Sequence, residues 1–161
     1  MPYINTSKAV GYYSGPKIDE TDVEVPARPS PDYVWSGTAW IRGVAATVRA
    51  IDEKCGAEMA KGFTFGGHTY QIAEAPKNYY GNWVATLVAL ERSTANPTGG
   101  TVVDIDNNIV AITDADLETL CVGCLGRFVA ILNTMRAHKN AVLALTDAQA
   151  AIYDLSTGWP E

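Results

Sequence analysis

The C-terminal third of the chain contains an apolar heptad repeat, which constrains the fold more than any other feature. Two sets of residues recur every seven positions with an offset of three, the a/d pattern of a long helix with one apolar stripe. The first set is Cys121, Phe128, Met135 and Val142. The second set is Leu117, Cys124, Ile131, His138 and Leu145. Leu125 and Leu132 widen the stripe, which suits a globular bundle as well as a coiled coil. The residues expected at a helix interface or in the core are Phe128, Ile131, Met135, His138 and Val142.

Two groups on this stripe have a chemical interpretation beside the structural one. Cys121 and Cys124 form a C-x-x-C pattern, which occurs in redox and zinc sites. Both lie about two turns inside the predicted helix, away from its N-terminus, and no second ligand pair accompanies them, so core packing is favoured. His138 is either a hydrogen-bonded core histidine near the helix end or a residue that sets the register of a self-associating helix.

An acidic segment, residues 101–120, leads into this helix and has the composition of a calcium loop. A calcium-binding EF-hand loop needs glycine at its sixth position and glutamate at its twelfth. Counted from Asp104, those positions hold Ile109 and Ala115, so the sequence predicts no metal site. Alternating apolar and acidic residues favour a β-hairpin instead, and Thr113 is placed as the N-cap of the long helix.

The middle of the chain predicts two helices separated by a β-hairpin. Apolar residues at spacings of three and four mark the first helix, namely Ile41, Val44, Val48, Ile51 and Cys55. Gly62 suits its C-terminal end, and the Gly66-Gly67 pair suits the two-residue turn of the hairpin. Pro76 is placed to begin the second helix.

The end of the chain predicts one more short helix. Thr146 and Gln149 match the capping-box pattern at its start, and the helix is expected to end at Gly158. Together these elements predict an α+β fold in residues 37–161, in which helices, including the long amphipathic C-terminal one, combine with short β-hairpins.

Residues 1–36 differ in composition and predict an extended N-terminal arm with short strands. Three prolines, Pro26, Pro29 and Pro31, each fix φ and favour extended backbone before them. Aromatic residues are concentrated in and just after this arm, and they are typical anchors of protein interfaces and sugar-binding surfaces. The candidate partner-binding residues are Tyr12, Tyr13, Tyr33, Trp35 and Trp40. Their alternative role is to hold the arm against the helices of the same chain.

Composition and charge argue against several classes of function. With 161 residues, 47% of them apolar, the chain can form one domain with a core. A formal net charge of −6 with scattered basic residues argues against nucleic-acid binding. The longest apolar run, WVATLVAL, is far shorter than a membrane span of about 20 residues, so no membrane insertion is expected. No signal peptide is recognisable, so we expect the product to stay at first in the cell that makes it. No catalytic or cofactor-binding motif occurs, so neither an enzyme nor a cofactor is predicted.

Four stretches carry a resemblance to a known type of domain: GFTFGGHTYQIAEA, VVDIDNNIVAITDADLETL, AHKNAVLAL and the terminal GWP. They resemble a domain of unknown function that is widespread in tail proteins of tailed bacteriophages and often accompanies tail fibres or their assembly. The shared features are Gly66-Gly67, Gln71, Asp106-Asn107, Thr113 and Lys139. The stretch VPARPSPDYVWSGTAW resembles the junction that often precedes this domain. The chain departs from the pattern at Val102-Val103-Asp104, where relatives often have a tryptophan.

The resemblance implies a small, non-enzymatic phage tail protein that binds other tail or fibre proteins in a homo-oligomer or hetero-oligomer. In one version it is a structural protein of the virion, in the tail fibre or its attachment, assembled in the host cytoplasm. In a second version it is a tail-fibre assembly chaperone that the virion does not retain. A third hypothesis is a carbohydrate-binding tip for host attachment, with Tyr33, Trp35 and Trp40 as stacking platforms.

Overall fold

The computed structural model describes residues 1–5, 11–18, 20–73, 79–92 and 96–161 of the chain. Within these residues the fold is α+β, as predicted, and combines helices with short antiparallel strand pairs. The strands are β1 (Pro2–Asn5), β2 (Gly11–Ser14), β3 (Val23–Glu24), β4 (Tyr33–Trp35), β5 (Trp40–Arg42), β6 (Phe63–Phe65), β7 (His68–Tyr70), β8 (Thr101–Val103) and β9 (Ile109–Ala111). The helices are α1 (Val44–Ala60), α2 (Tyr79–Arg92), α3 (Asp114–Leu143) and α4 (Asp147–Ala151).

α3 is the central element, and its 30 residues confirm the long C-terminal helix that the heptad repeat predicts. The Thr113 side chain accepts a hydrogen bond from the backbone N–H of Asp116 at 3.2 Å, so Thr113 is the N-cap of this helix, as expected. α1 and α2 both pack against α3. Its buried stripe consists of Leu117, Leu120, Cys121, Cys124, Ile131 and Val142.

Two adjoining groups of apolar side chains form the core. The larger group includes Ile131 and joins α3 to α1, to α2 and to the hairpins β6–β7 and β8–β9, with Phe128 partly buried against it. The smaller group includes Val142 and joins α3 to α1 and α4. Met135 and Trp159 contact both groups, so the core is continuous along α3.

The start of α1 is completed by α4, which lies about a hundred residues later in the chain. Gly43 is the N-cap residue of α1 and has no side chain that could accept a hydrogen bond from the first turn. Asp147 supplies the missing acceptor, because its Oδ1 accepts a hydrogen bond from the backbone N–H of Val44 at 2.8 Å. The Thr47 hydroxyl donates to the carbonyl of Ala150 at 3.1 Å. These two bonds hold the predicted capping-box helix against α1.

The first helix begins later than its apolar pattern predicts. Ile41 lies in β5, where it pairs with Val34 of β4, and α1 starts at Val44. The spacing of Ile41 from Val44 fits a helix, but the β4–β5 hairpin pairs the backbone up to Arg42 and so places Ile41 in a strand. Pro76, the predicted start of the second helix, lies outside the described residues.

The last helix is shorter than predicted, because it ends at Ala151 and does not reach Gly158. The Asp154 carboxylate accepts hydrogen bonds from the backbone N–H and the hydroxyl of Ser156, at 2.8 and 2.7 Å. Such a local turn competes with helical backbone hydrogen bonding and ends the helix. Ile152 lies in solvent, 87% exposed, whereas Tyr153 and Leu155 pack against the smaller apolar group.

The N-terminal region forms two small β units. β1 is the central strand of a three-stranded sheet of order β2-β1-β3, and β4 pairs with β5. The predicted boundary between residues 36 and 37 falls in the turn of the β4–β5 hairpin, where Trp35 pairs with Trp40. An ion pair between Asp32 and Arg49 connects the approach to β4 with α1.

The hairpins β6–β7 and β8–β9 lie between the helices and contact one another. Gly66 and Gly67 form the turn of the first hairpin with φ of +58° and +83°, the left-handed backbone that a two-residue turn requires and glycine provides. The backbone N–H of Ile105 donates to the carbonyl of Thr69 at 2.8 Å, which joins the two hairpins. The second hairpin then leads directly into Thr113 and α3.

Candidate functional site

Three of the five predicted partner-binding aromatics come together around one arginine. The Trp40 ring makes edge contacts with Tyr12 and Trp35, at centroid distances of 5.2 and 5.3 Å. The Arg28 guanidinium carbon lies 6.0 Å from the centroid of Tyr12 and 5.6 Å from that of Trp40. We call Tyr12, Arg28, Trp35 and Trp40 the aromatic–arginine cluster. All four side chains are half-buried, so parts of their surfaces face solvent.

Hydrogen bonds to the backbone fix the positions of these side chains. The indole N–H of Trp40 donates to the carbonyl of Pro26 at 2.7 Å. The Arg28 Nε donates to the carbonyl of Tyr33 at 2.8 Å, and its Nη2 donates to the carbonyl of Pro31. The cluster therefore joins β2, the proline-rich segment and the β4–β5 hairpin into one unit. These contacts join the arm to the β4–β5 hairpin and leave a partly exposed surface. None of them involves a helix residue, so the alternative role of the aromatics, holding the arm against the helices, stays a prediction.

Tyr13 lies apart from the aromatic–arginine cluster, because neighbouring residues of a strand point to opposite faces of the sheet. Its ring stacks on Tyr3 with a centroid distance of 5.8 Å, and its hydroxyl donates to the Asp22 carboxylate. Desolvation, followed by the hydrogen bond to Asp22, raises the pKa of Tyr13. The side-chain amide of Asn5 donates to the other oxygen of Asp22 at 2.6 Å. On this face of the sheet, Tyr13 thus belongs to a hydrogen-bond network with Asp22 and Asn5.

The composition of the aromatic–arginine cluster is that of an interface anchor. Trp, Tyr and Arg provide a large share of the binding energy at protein interfaces, because each offers a large surface and a directed polar group. Here the rings and the guanidinium are already held in place, so a partner would lose little side-chain entropy on binding. Arg28 was missed in the sequence analysis, because a single basic residue among prolines has no distinguishing pattern.

A second polar arrangement joins the hairpins β6–β7 and β8–β9. The Asp104 carboxylate, whose side chain is 3% exposed, lies 2.9 Å from Nδ1 of His68. It also accepts hydrogen bonds from the Asn108 side-chain amide at 2.9 Å and from the backbone N–H groups of Asn108 and Asp106, at 2.8 and 3.0 Å. The bonds from Asn108 and His68 lower the pKa of Asp104 to about 2. Asp104 is therefore a structural hydrogen-bond centre of the second hairpin.

The His68–Asp104 pair has the geometry of a base and its orienting carboxylate, but no Ser, Thr or Cys nucleophile is bonded to it in the described part of the chain. His68 borders a cavity of about 220 Å³ that Asp116 also lines. Within the described ranges, no Ser, Thr or Cys side chain is hydrogen-bonded to the His68 ring, as an activated nucleophile would be. Those ranges also contain no group of three or more His, Cys, Asp or Glu residues placed to hold a metal ion.

The C-x-x-C cysteines lie in the core. Cys121 and Cys124 are fully buried free thiols on the apolar stripe of α3. Burial raises the pKa of Cys121 to about 11 and that of Cys124 to about 12. A redox or zinc-binding cysteine needs a stabilised thiolate, so these thiols have the opposite of the required environment.

His138 fastens the C-terminal segment to α3. Its Nδ1 lies 2.9 Å from the Tyr153 hydroxyl, and its Nε2 lies 3.1 Å from the carbonyl of Thr157. Because a carbonyl only accepts, Nε2 carries the proton in the neutral ring, and Nδ1 accepts from Tyr153. The ring also stacks on Trp159 with a centroid distance of 5.4 Å. Both ring nitrogens thus have partners within the same chain.

Comparison of the chain with protein-family models, with curated proteins and with solved structures gave no match. None of the helices in the described ranges combines the length and the apolar character that crossing a membrane requires.

Proposed function

We propose that this protein is a non-enzymatic component of a bacteriophage tail, built into the tail fibre or its attachment, and that it acts through protein–protein contacts. The tail assignment is supported by the sequence resemblance. The described parts of two stretches that carry it include the adjoining hairpins β6–β7 and β8–β9, which are joined by the bond from Ile105 to Thr69 and by the His68–Asp104 pair. These residues form one compact unit at the start of α3.

The aromatic–arginine cluster is the observation that carries the protein-contact part of the proposal. It presents parts of two tryptophans, a tyrosine and an arginine at the surface of the N-terminal region, in positions fixed by hydrogen bonds to the backbone. A fixed aromatic and guanidinium surface suits a flat protein partner, on which both ring faces and directed donors find complements. The partner that fits this surface is another tail or fibre chain with carbonyl or carboxylate acceptors next to an apolar patch.

Purified virions of the phage that encodes the chain test the tail assignment. Quantitative mass spectrometry of the particles is expected to find the chain in a fixed ratio to the other tail proteins. If the chain is made in infected cells but is missing from the particles, the structural assignment is wrong and the assembly-chaperone hypothesis replaces it.

A variant of Trp35 tests the contact surface. In phage whose own copy carries Trp35→Ala, we expect fewer copies of the chain per particle, because the exposed part of the cluster is reduced. Val23→Ala is the matched control, because Val23 is 55% exposed in β3 but lies outside the cluster. If both folded variants are incorporated equally, the cluster is not the contact surface. The tail assignment is not affected by that result, because mass spectrometry of the virions tests it separately.

A further inference from the structure

α3 carries a second apolar heptad pattern, which adjoins the core stripe and faces partly outward. Val122, Leu125, Val129 and Leu132 follow one another at spacings of three, four and three, as a and d residues do. Val122 is 55% and Val129 44% exposed. Leu125 and Leu132 are half-buried, and Leu132 also packs partly on the core. We call these four residues the outer seam.

The core stripe of α3 is already occupied within the chain. Ile131 and Val142 are fully buried, and His138 is bound to Tyr153 and Thr157 of the C-terminal segment. A partner helix could reach these side chains only by displacing α1, α2 or that segment. Any pairing of α3 with another helix therefore has to use its outward side.

Opposite charges stand at the two ends of the outer seam. Glu118 lies seven positions before Leu125, and Arg136 lies seven positions after Val129, so both continue the heptad pattern. Both side chains are exposed. Neither forms an ion pair within the described residues. The exposed residues of α3 between these two are all uncharged: Thr119, Val122, Gly126, Val129 and Asn133.

We propose that the outer seam binds the outer seam of a second copy of this chain, with the two α3 helices antiparallel. Glu118 and Arg136 are each nine positions from residue 127, so a two-fold axis near that residue brings Glu118 of each copy opposite Arg136 of the other. The same register places Val122 opposite Leu132 and Leu125 opposite Val129, which pairs a positions with d positions.

The centre of the outer seam permits close approach of two helices. Gly126 flanks the seam beside Val122 and Val129, one position from residue 127 along the helix, and no atom of its own chain lies within 4 Å of the place where its Cβ would be. A glycine at a helix crossing lets the backbones approach, so that the flanking valines and leucines interdigitate. Glu118 and Arg136 are about 27 Å apart along the helix, which gives the paired segment five turns.

The charge pattern selects both the occupant and its direction. The face carries an acid at one end, a base at the other and uncharged residues between, so it is complementary to itself when reversed. A parallel arrangement would bring Glu118 against Glu118 and Arg136 against Arg136, which repel. The net charge of −6 on each copy opposes association, so we expect a dissociation constant in the micromolar range.

Sedimentation equilibrium of the full chain at low ionic strength tests the association. We expect a reversible equilibrium between monomer and dimer, and Val129→Lys is expected to weaken the dimer at least about tenfold, because it places two like charges in the seam. Ile152→Lys is the matched control, since Ile152 is 87% exposed but lies outside α3, and it should leave the dimer unchanged. Thermal unfolding of both variants checks that they fold.

Reversal of the end charges tests the direction. Glu118→Arg and Arg136→Glu alone should each weaken the dimer about tenfold, because each turns two attractive pairs into repulsive ones. The double variant should restore wild-type affinity. A wild-type chain that stays monomeric through the micromolar range, or a dimer that Val129→Lys does not weaken, overturns the proposed surface. A double variant that fails to recover overturns the antiparallel register.

Discussion

The aromatic ring of Phe63 occupies the space in which residue 123 of α3 would place a side chain. A Cβ added to Gly123 would lie 2.3 Å from Cζ and 2.4 Å from Cε1 of Phe63, well inside van der Waals contact. The absence of a side chain at Gly123 thus allows the β6–β7 hairpin to pack directly on α3. Phe63 is partly buried there against the larger apolar group of the core.

Gly123→Ala is therefore expected to destabilise the protein, although alanine is the better helix former. The added methyl group has to displace the Phe63 ring, and overpacking of this kind costs about 1–3 kcal/mol, more than the helix propensity gained. Urea unfolding followed by circular dichroism measures the change. Gly56→Ala in α1 is the control, because nothing lies within 4 Å of its added Cβ, and we expect it to stabilise by about 0.5–1 kcal/mol.

A double-mutant cycle assigns the loss to this contact. In a Phe63→Ala background the space beside Gly123 is open. Gly123→Ala should therefore lower the free energy of unfolding much less there than in the wild-type chain. If Gly123→Ala is as harmful without the Phe63 ring as with it, the ring is not the cause.

The helices and turns were predictable because their determinants lie within a few residues of one another. The heptad spacing fixes which side of α3 is apolar, and Thr113 caps the helix through a residue three positions away. The Gly66-Gly67 turn needs only its own two residues. Such patterns contain the physical cause of the structure, so the long helix, its start and this hairpin follow from the sequence.

Contacts between distant residues were not predictable in this way. His68 and Asp104 are 36 positions apart, and Val44 and Asp147 are 103 apart, so no local pattern links either pair. Ile41 was misassigned for the same reason, because its helix-like spacing does not reveal the strand Tyr33–Trp35 that pairs with it. Arg28 was unpredictable too, because only the folded course of the proline-rich segment brings it against the rings of Tyr12 and Trp40.

The N-cap of α3 gives a second prediction. Thr113→Ala removes the acceptor for the backbone N–H of Asp116, and we expect a loss of about 1 kcal/mol in the free energy of unfolding. Thr119→Ala is the matched control, because Thr119 is an exposed threonine within the same helix whose hydroxyl bonds only to the carbonyl of Ala115. Alanine there should be neutral or slightly stabilising. Equal losses for both variants contradict a capping role.

The burial of the thiols gives a third prediction. With a pKa of about 11, only about one Cys121 side chain in a thousand is a thiolate at about pH 8, and Cys124 is less ionised still. A disulfide reagent should therefore modify the native protein very slowly and all three cysteines rapidly in concentrated guanidinium. Thr119→Cys places a thiol at an exposed position of α3 and should react fast in the native state. Native Cys121 or Cys124 reacting as fast as that added thiol is incompatible with core packing.

The hydrogen bonds of Asp104 predict how stability depends on pH. Its pKa is about 2 in the folded chain against 3.8 ordinarily, so the folded state holds this proton more weakly than the unfolded state does. The resulting stabilisation is complete above about pH 4 and is lost as the pH falls toward about 2. Asp104→Asn lacks the ionised form, so its stability disadvantage against the wild-type chain should be largest near neutral pH and shrink on acidification. Urea unfolding of both proteins from neutral pH down to about pH 2 measures this difference. The contributions of the other carboxylates are the same in both proteins and cancel in the comparison.

A second variant separates the carboxylate from its main partner. Asn108→Ala retains Asp104 but removes the side-chain amide that contributes most to its lowered pKa. The acid limb of the stability curve should then move to higher pH, because the folded and unfolded pKa values of Asp104 become more alike. An NMR titration of the Asp104 carboxyl carbon reports the same change directly. If the pKa stays near 2 in this variant, the backbone N–H groups and His68 are sufficient to stabilise the carboxylate, and the dominant role of Asn108 is wrong.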